Sequence, residues 1–232
     1  MKSESTNPTA TPHLSVASPF SAQSALVEAG DSRSPGTDPI EEIAENLLRE
    51  LGEDPKREGL LRTPHRVAKA MRTLTSGYGA KLEEVLNGAV FDAEGYREMV
   101  LVRDVEFYSL CEHHLLPFFG RVSVAYLPGE KIIGLSKIPR LVDVFARRFQ
   151  LQERMTAQIA ETLRDVLQPR GVAVAATGFH LCMAMRGVAK QGSVTTTTAF
   201  LGAFRSDHRR RDEFLRLMEP GGETAWTRRS SF

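Results

Sequence analysis

Apolar residues near the front of the chain recur at helical spacing. Ile40, Ile43, Ala44, Leu47, Leu48 and Leu51 fall on one face of a helix. Asp38 stands at the position of an N-cap, Pro39 at the first helical position, and Glu41 where a capping box closes. Gly52 follows the last periodic residue and stops the run. Thr63-Pro64 opens a second helix by the same logic, with Val67, Met71 and Leu74 inward and Gly77 as its stop.

From about residue 98 the period shortens to two. Val105, Phe107 and Ser109 alternate with Asp104, Glu106 and Tyr108, which predicts a strand over residues 99–110. Val122, Val124 and Tyr126 predict a second strand over 120–127, closed by a Pro128-Gly129 turn. A short strand over 131–135 follows, then helices over 139–149 and 153–167. The first of these turns Leu141, Val142, Phe145 and Phe149 inward, and the second Met155, Ile159, Leu163 and Val166. Strands over 172–185 and 193–204 come next, and Asp207 caps a last helix to about Met218. This order predicts an α+β fold, a mostly antiparallel sheet backed by helices on one face. There is no internal repeat.

Composition changes the picture mainly at the ends. Residues 1–37 are rich in Ser, Thr, Pro and Ala without a sustained period, which predicts a disordered N-terminal tail. The expected organisation is that tail, an N-terminal helical region over 38–97, a catalytic domain over 98–218 and a C-terminal tail over 219–232. With 30 Lys plus Arg against 29 Asp plus Glu, no global field draws nucleic acid or an anionic membrane, so an anionic substrate needs a local cluster of bases. The arginines at 205, 209, 210 and 211 are interrupted by Asp207 and Asp212 and read as a solvated face, not a nucleic-acid surface. Two cysteines are too few for a disulfide scaffold, and neither a signal peptide nor a membrane-length apolar run is visible. A cytoplasmic protein with reduced thiols is the expectation.

Candidate chemistry centres on two places. Cys111 and His114 are two residues apart within Cys111-Glu112-His113-His114, so one loop can set both on a single ion. His180 and Cys182, if they lie in a strand, share a face, with Arg186 further along. Thiolate and imidazole together suit Zn²⁺, and a Cys₂His set leaves the fourth position open to water. An open zinc lowers the pKa of bound water to roughly 7. His113 and His180 stand beside the ligands with imidazoles suited to proton transfer. Two other readings of the same residues stay open here. One is a structural zinc with His113 or His180 as fourth ligand; the other is no metal, the cysteines being small buried hydrophobes.

These residues carry a resemblance. Cys-Glu-His-His at 111–114, Gly134-Leu135-Ser136-Lys137, Gln152-Glu153-Arg154, His180-Leu181-Cys182-Met183, Arg186-Gly187 and the run Thr195-Thr196-Thr197-Thr198 resemble GTP cyclohydrolase I, over about residues 40–218. The resemblance implies hydrolytic opening of the GTP imidazole ring at C8, release of formate and formation of 7,8-dihydroneopterin triphosphate, the first step of tetrahydrofolate or pterin biosynthesis. It implies one zinc per subunit on Cys111, His114 and Cys182, with His113, His180 and Ser136 as catalytic residues. Glu153 and Gln152 match the guanine contacts, and Leu135 lies within a matching motif. Lys137, Arg140 and Arg186 match the triphosphate contacts, as do Arg66 and Lys69. It further implies the tunnelling fold, in which sheets from several subunits join into a barrel, and a homodecamer of two stacked pentamers open to allosteric control.

Two alternatives accompany that expectation. A nitrile reductase of deazapurine metabolism on the same fold would use a cysteine nucleophile and a nicotinamide cofactor in place of metal. A non-catalytic, zinc-stabilised scaffold would unfold or dissociate on chelation.

Overall fold

The computed structural model describes residues 38–218; the expected tails over 1–37 and 219–232 lie outside the described residues. Helices α1 (Pro39–Glu50) and α2 (Thr63–Leu74) pack against each other, followed by a 3-10 turn, a short helix α3 (Leu82–Leu86) and a short strand β1 (Val90–Asp92). The long strands β2 (Val100–Cys111) and β3 (Pro117–Leu127) form a hairpin, and β4 (Lys131–Ile133) pairs back onto β1. Then come α4 (Lys137–Ala146), β5 (Phe149–Gln150), α5 (Gln152–Leu167), β6 (Gly171–His180), α6 (Leu181–Ala184), β7 (Thr195–Gly202), α7 (Ala203–Ser206) and α8 (His208–Met218).

The main sheet has five strands in the order β5-β2-β3-β6-β7, antiparallel except where β5 runs parallel to the end of β2. The α+β class therefore stands. Alternation explains the core. Val122, Val124 and Tyr126 of β3 and Val172, Val174 and Ala176 of β6 face Leu141, Val142 and Phe145 of α4 and Met155, Ile159 and Leu163 of α5. The intervening Ala125, Leu127, Ala173 and Ala175 point the other way and are covered by Phe204 and Phe214. The helices are thus not confined to one face: α7 and α8 close one end of the second. Asp207 caps α8 as expected, its Oδ1 accepting from the Arg209 amide at 2.9 Å.

Three expected elements change extent. Phe149, placed in a helix by its spacing, lies in β5 because Arg148 ends α4. Its guanidinium donates to the Val144 carbonyl at 2.7 Å and the Gly77 carbonyl at 2.8 Å, satisfying a helix-end acceptor and turning the chain. Gly77 has to be glycine there, since a Cβ would sit 2.4 Å from the Val144 carbonyl oxygen. The strand expected over 172–185 ends at His180, and Leu181–Ala184 forms a helical turn. The strand expected over 193–204 is shorter, Thr195–Gly202.

The first helix departs from its pattern in another way. Only Ala44 of α1 is buried; Ile43, Leu47 and Leu51 are 65, 56 and 72% exposed.

Candidate metal centre

Sheet register, more than chain proximity, assembles the site. The β2–β3 hairpin closes at Leu110 opposite Pro117, so residues 112–116 form a tight loop at one end of the sheet. The Cys111 carbonyl accepts from the Leu115 amide at 2.8 Å, and the Cys111 amide donates to the Leu116 carbonyl at 2.9 Å. Leu115 takes a positive φ of 55° to complete the turn. Phe118 pairs with His180 across β3 and β6, which brings the end of β6 beside that loop. The chain then curls into α6 and presents Cys182. The expectation that His180 and Cys182 share a strand face is therefore corrected: a strand ends at one and a helical turn carries the other.

The result is a cluster of Cys111, His114 and Cys182 whose ligand atoms all lie within 4.8 Å of one another. Cys111 Sγ and His114 Nδ1 are 3.9 Å apart. Tetrahedral zinc, with bonds of roughly 2.3 Å to sulfur and 2.0 Å to nitrogen, sets neighbouring donors about 3.5–3.8 Å apart, so the set fits with slight contraction. Neither His113 nor His180 joins the cluster, among the described residues. Both cysteines are free thiols. Burial, and then the neighbouring Cys111 sulfur, push the Cys182 thiol above its ordinary pKa, while the Arg186 guanidinium pulls it down.

The histidines differ. His113 is exposed in the loop, its ring edge-on to His114 at 6.1 Å. His180 is half-buried, stacked on Phe118 with ring centroids 4.5 Å apart and planes within 5°. Burial lowers the His180 pKa, and the nearby Glu153 carboxylate partly opposes that. Its Nε2 lies 2.9 Å from Gln152 Oε1.

The first turn of α5 reaches several parts of the site at once. Gln152 is 1% exposed and points into the protein, where its amide is wholly engaged within the chain. Its side-chain nitrogen and oxygen are therefore both committed within the chain. Glu153 is exposed at the same helix start. Arg154 grips Glu112 through both carboxylate oxygens at 2.6 and 3.0 Å, which holds the Glu112 carboxyl below its ordinary pKa. Glu112 has no role legible in the sequence. Here it ties the Cys111–His114 loop to the helix that carries Glu153.

The remaining candidates differ in exposure and in partners. Leu135 and Ser136 are exposed in the turn before α4. Lys137 is 8% exposed, and its ammonium donates to the Val85 carbonyl at 3.2 Å. Arg140 lines a cleft of about 430 Å³ with Lys81, Glu84, Asp143 and Arg147. Arg186 is exposed after α6, close enough to act on Cys182. Arg66 and Lys69 are exposed on α2.

The family model for GTP cyclohydrolase I matches residues 40–219. The chain is 57% identical over 182 residues to GTP cyclohydrolase 1 of Leptospira biflexa, spanning 78% of this chain and 99% of that protein. It is 56% identical over 180 residues to GTP cyclohydrolase 1 of Deinococcus radiodurans, spanning 78% of this chain and 83% of that one. A solved structure, the archaeosine synthase QueF-Like in its apo form, aligns with a TM-score of 0.37 at 20% identity. The alignment covers 45% of this chain and 93% of that one, too slight a likeness to inform fold or chemistry.

Proposed function

The chain belongs to the GTP cyclohydrolase I family, and on that footing we propose which of its residues do the work. The activity is that of a hydrolase on the carbon–nitrogen bonds of a cyclic amidine. It opens the imidazole ring of GTP at C8, releases that carbon as formate and recloses the product as 7,8-dihydroneopterin triphosphate. The observation that carries the site assignment is the Cys111–His114–Cys182 cluster at the end of the sheet.

The donor set and its spacing favour zinc, one per subunit. Cys111, His114 and Cys182 would hold the ion, which when bound would supply Lewis acidity and a lowered pKa for water. His113, exposed beside the ligand His114, donates a proton to the imidazole nitrogen of the base as C8 is attacked. His180, kept neutral by burial, handles the second proton transfer during ring opening. Glu153 accepts from the guanine N1–H and amino group. Leu135 offers the base an apolar contact, and Ser136 next to it acts on the ribose. With a net charge of only +1, the triphosphate depends on local cations. Arg140 and Arg186 grip its oxygens, with Lys137 as a point charge once it leaves the Val85 carbonyl. Arg66 and Lys69 complete the set from α2.

The tunnelling fold and a homodecamer of two pentamers follow the same reading. Two features favour further copies of the chain as neighbours. The edge strand β7 has an unpaired side among the described residues, and α1 exposes its apolar stripe. No helix among the described residues is long and apolar enough to cross a membrane. Free thiols in a metal cluster suit the reducing cytoplasm.

The test is formate release from GTP by metal-replete protein, followed with zinc content. Wild-type protein should yield formate and a pterin that fluoresces after oxidation; no formate would sink the assignment. Cys182→Ser should lose both bound zinc and turnover, and unchanged metal content in that variant would show that the ligand set is wrong.

A further inference from the structure

The threonine-rich strand β7 and the buried Gln152 lie outside the steps assigned above, yet together they form a closed hydrogen-bond network that ends on His180. Gln152 Nε2 donates to the Ala176 carbonyl at 3.0 Å and the Thr195 carbonyl at 2.9 Å. Carbonyl oxygens only accept, so the amide nitrogen must face them and Oε1 must face His180. The same nitrogen also lies 3.2 Å from Thr197 Oγ1. The Thr156 hydroxyl donates to the Gln152 carbonyl at 2.7 Å, which leaves the Thr197 hydroxyl to donate to Thr156 Oγ1 at 2.6 Å. Every polar hydrogen of this set is committed, and the amide cannot flip without setting an oxygen against two carbonyls. Gly178 leaves the space, since a Cβ there would lie 2.5 Å from Gln152 Oε1.

An amide oxygen carries no hydrogen, so the 2.9 Å contact to His180 Nε2 is a bond that the imidazole donates. We propose that Gln152, oriented by Thr195 and Thr197, is a positioning residue that holds His180 in the Nε2–H tautomer with Nδ1 as its basic nitrogen. The proposal rests on the assignment of His180 as a proton carrier. The hydrogen on Nε2 is then committed to Gln152, and Nδ1 is the ring nitrogen left outside that bond. Stacking on Phe118 fixes the ring plane, so tautomer and orientation are set together. Thr197 acquires a reason, because residues 195 and 197 alternate onto the face that meets α5 while residues 196 and 198 are exposed.

The experiment compares the zinc-loaded wild-type protein with Gln152→Met, Thr197→Val and Thr197→Ser. Steady-state formate release is combined with nitrogen NMR of histidine-labelled protein. Gln152→Met should lower kcat by about a hundredfold, the low end of what a positioned acid–base group contributes, with KM for GTP and zinc content unchanged. The Nε2–H signal of His180 should give way to a tautomer mixture. Thr197→Val should lower kcat severalfold, and Thr197→Ser, which keeps the hydroxyl, should restore it. A raised KM with unchanged kcat in Gln152→Met would make Gln152 a guanine contact and overturn the proposal. If Gln152→Met does not fold, the threonine pair decides: equal kcat in both variants overturns it. Wild-type protein that holds the Nε2–H tautomer but makes no formate would refute the functional reading and leave the tautomer lock standing.

Discussion

Helices α1 and α5 have similar sequence signatures and opposite fates. Each repeats large apolar residues every three or four positions. In α5 that face is consumed: Met155, Ile159 and Leu163 are at most 1% exposed against β3 and β6. In α1 it is not: Ile43 and Leu47, and Leu51 just beyond the helix, are more than half exposed. The period states that a helix has a face to bury; it is silent on which surface will bury it. For α5 that surface belongs to the same chain, and for α1 the main neighbour among the described residues is α2.

The comparison breaks most sharply in the core. Ile159→Ala should cost about 2–5 kcal/mol, because it removes methylenes from a site with no exposed surface and leaves a cavity. Urea unfolding checks it, and a loss near zero would mean that α5 is no better packed than α1. Leu47→Ala in α1 should change the chain's own unfolding free energy by only about 0.5 kcal/mol, as exposed substitutions do. If the stripe is an interface, Ile43→Asp with Leu47→Asp should instead shift the assembly to smaller species in light scattering, with far-UV circular dichroism unchanged. An unchanged mass would remove α1 from the contact surface.

A smaller effect belongs to the other end of α5. Replacing Glu112 by Gln breaks a bidentate ion pair whose carboxylate and guanidinium are both partly exposed. The stability cost should be about 1 kcal/mol or less in thermal melts, since water and salt screen such pairs. The more telling readout is retention of zinc against a chelator, which should shorten if the pair steadies the Cys111–His114 loop. Arg154→Met should shorten it equally. If only one variant does so, the two side chains do not act as a pair.

Much of the fold was legible from the chain alone. The alternation in β2 and β3 and the helical periods of α4 and α5 each depend on local geometry, which neighbours in sequence report faithfully. What escaped was short or set from a distance. The two residues of β5 are too few to show a period, and they form because Arg148 reaches back to Gly77 and ends α4. The curl after His180 was read as more strand because the apolar run continues through it. At the site, the ligand types and the two-residue gap between Cys111 and His114 were plain. The role of Glu112 was not, because its partner Arg154 is 42 residues away in sequence.

The sequence by itself determined the types of element, the apolar faces, the presence of a Cys₂His donor set and the family whose motifs surround it. These properties are carried by residue identity and spacing. Only the tertiary structure decided that Cys182 reaches Cys111 by a helical turn, that α7 and α8 close one end of the second face of the sheet, and that the Gln152 side chain faces inward. Each depends on which strand lies beside which, and the β3–β6 register that sets His180 beside Phe118 joins residues too far apart for any local pattern to connect.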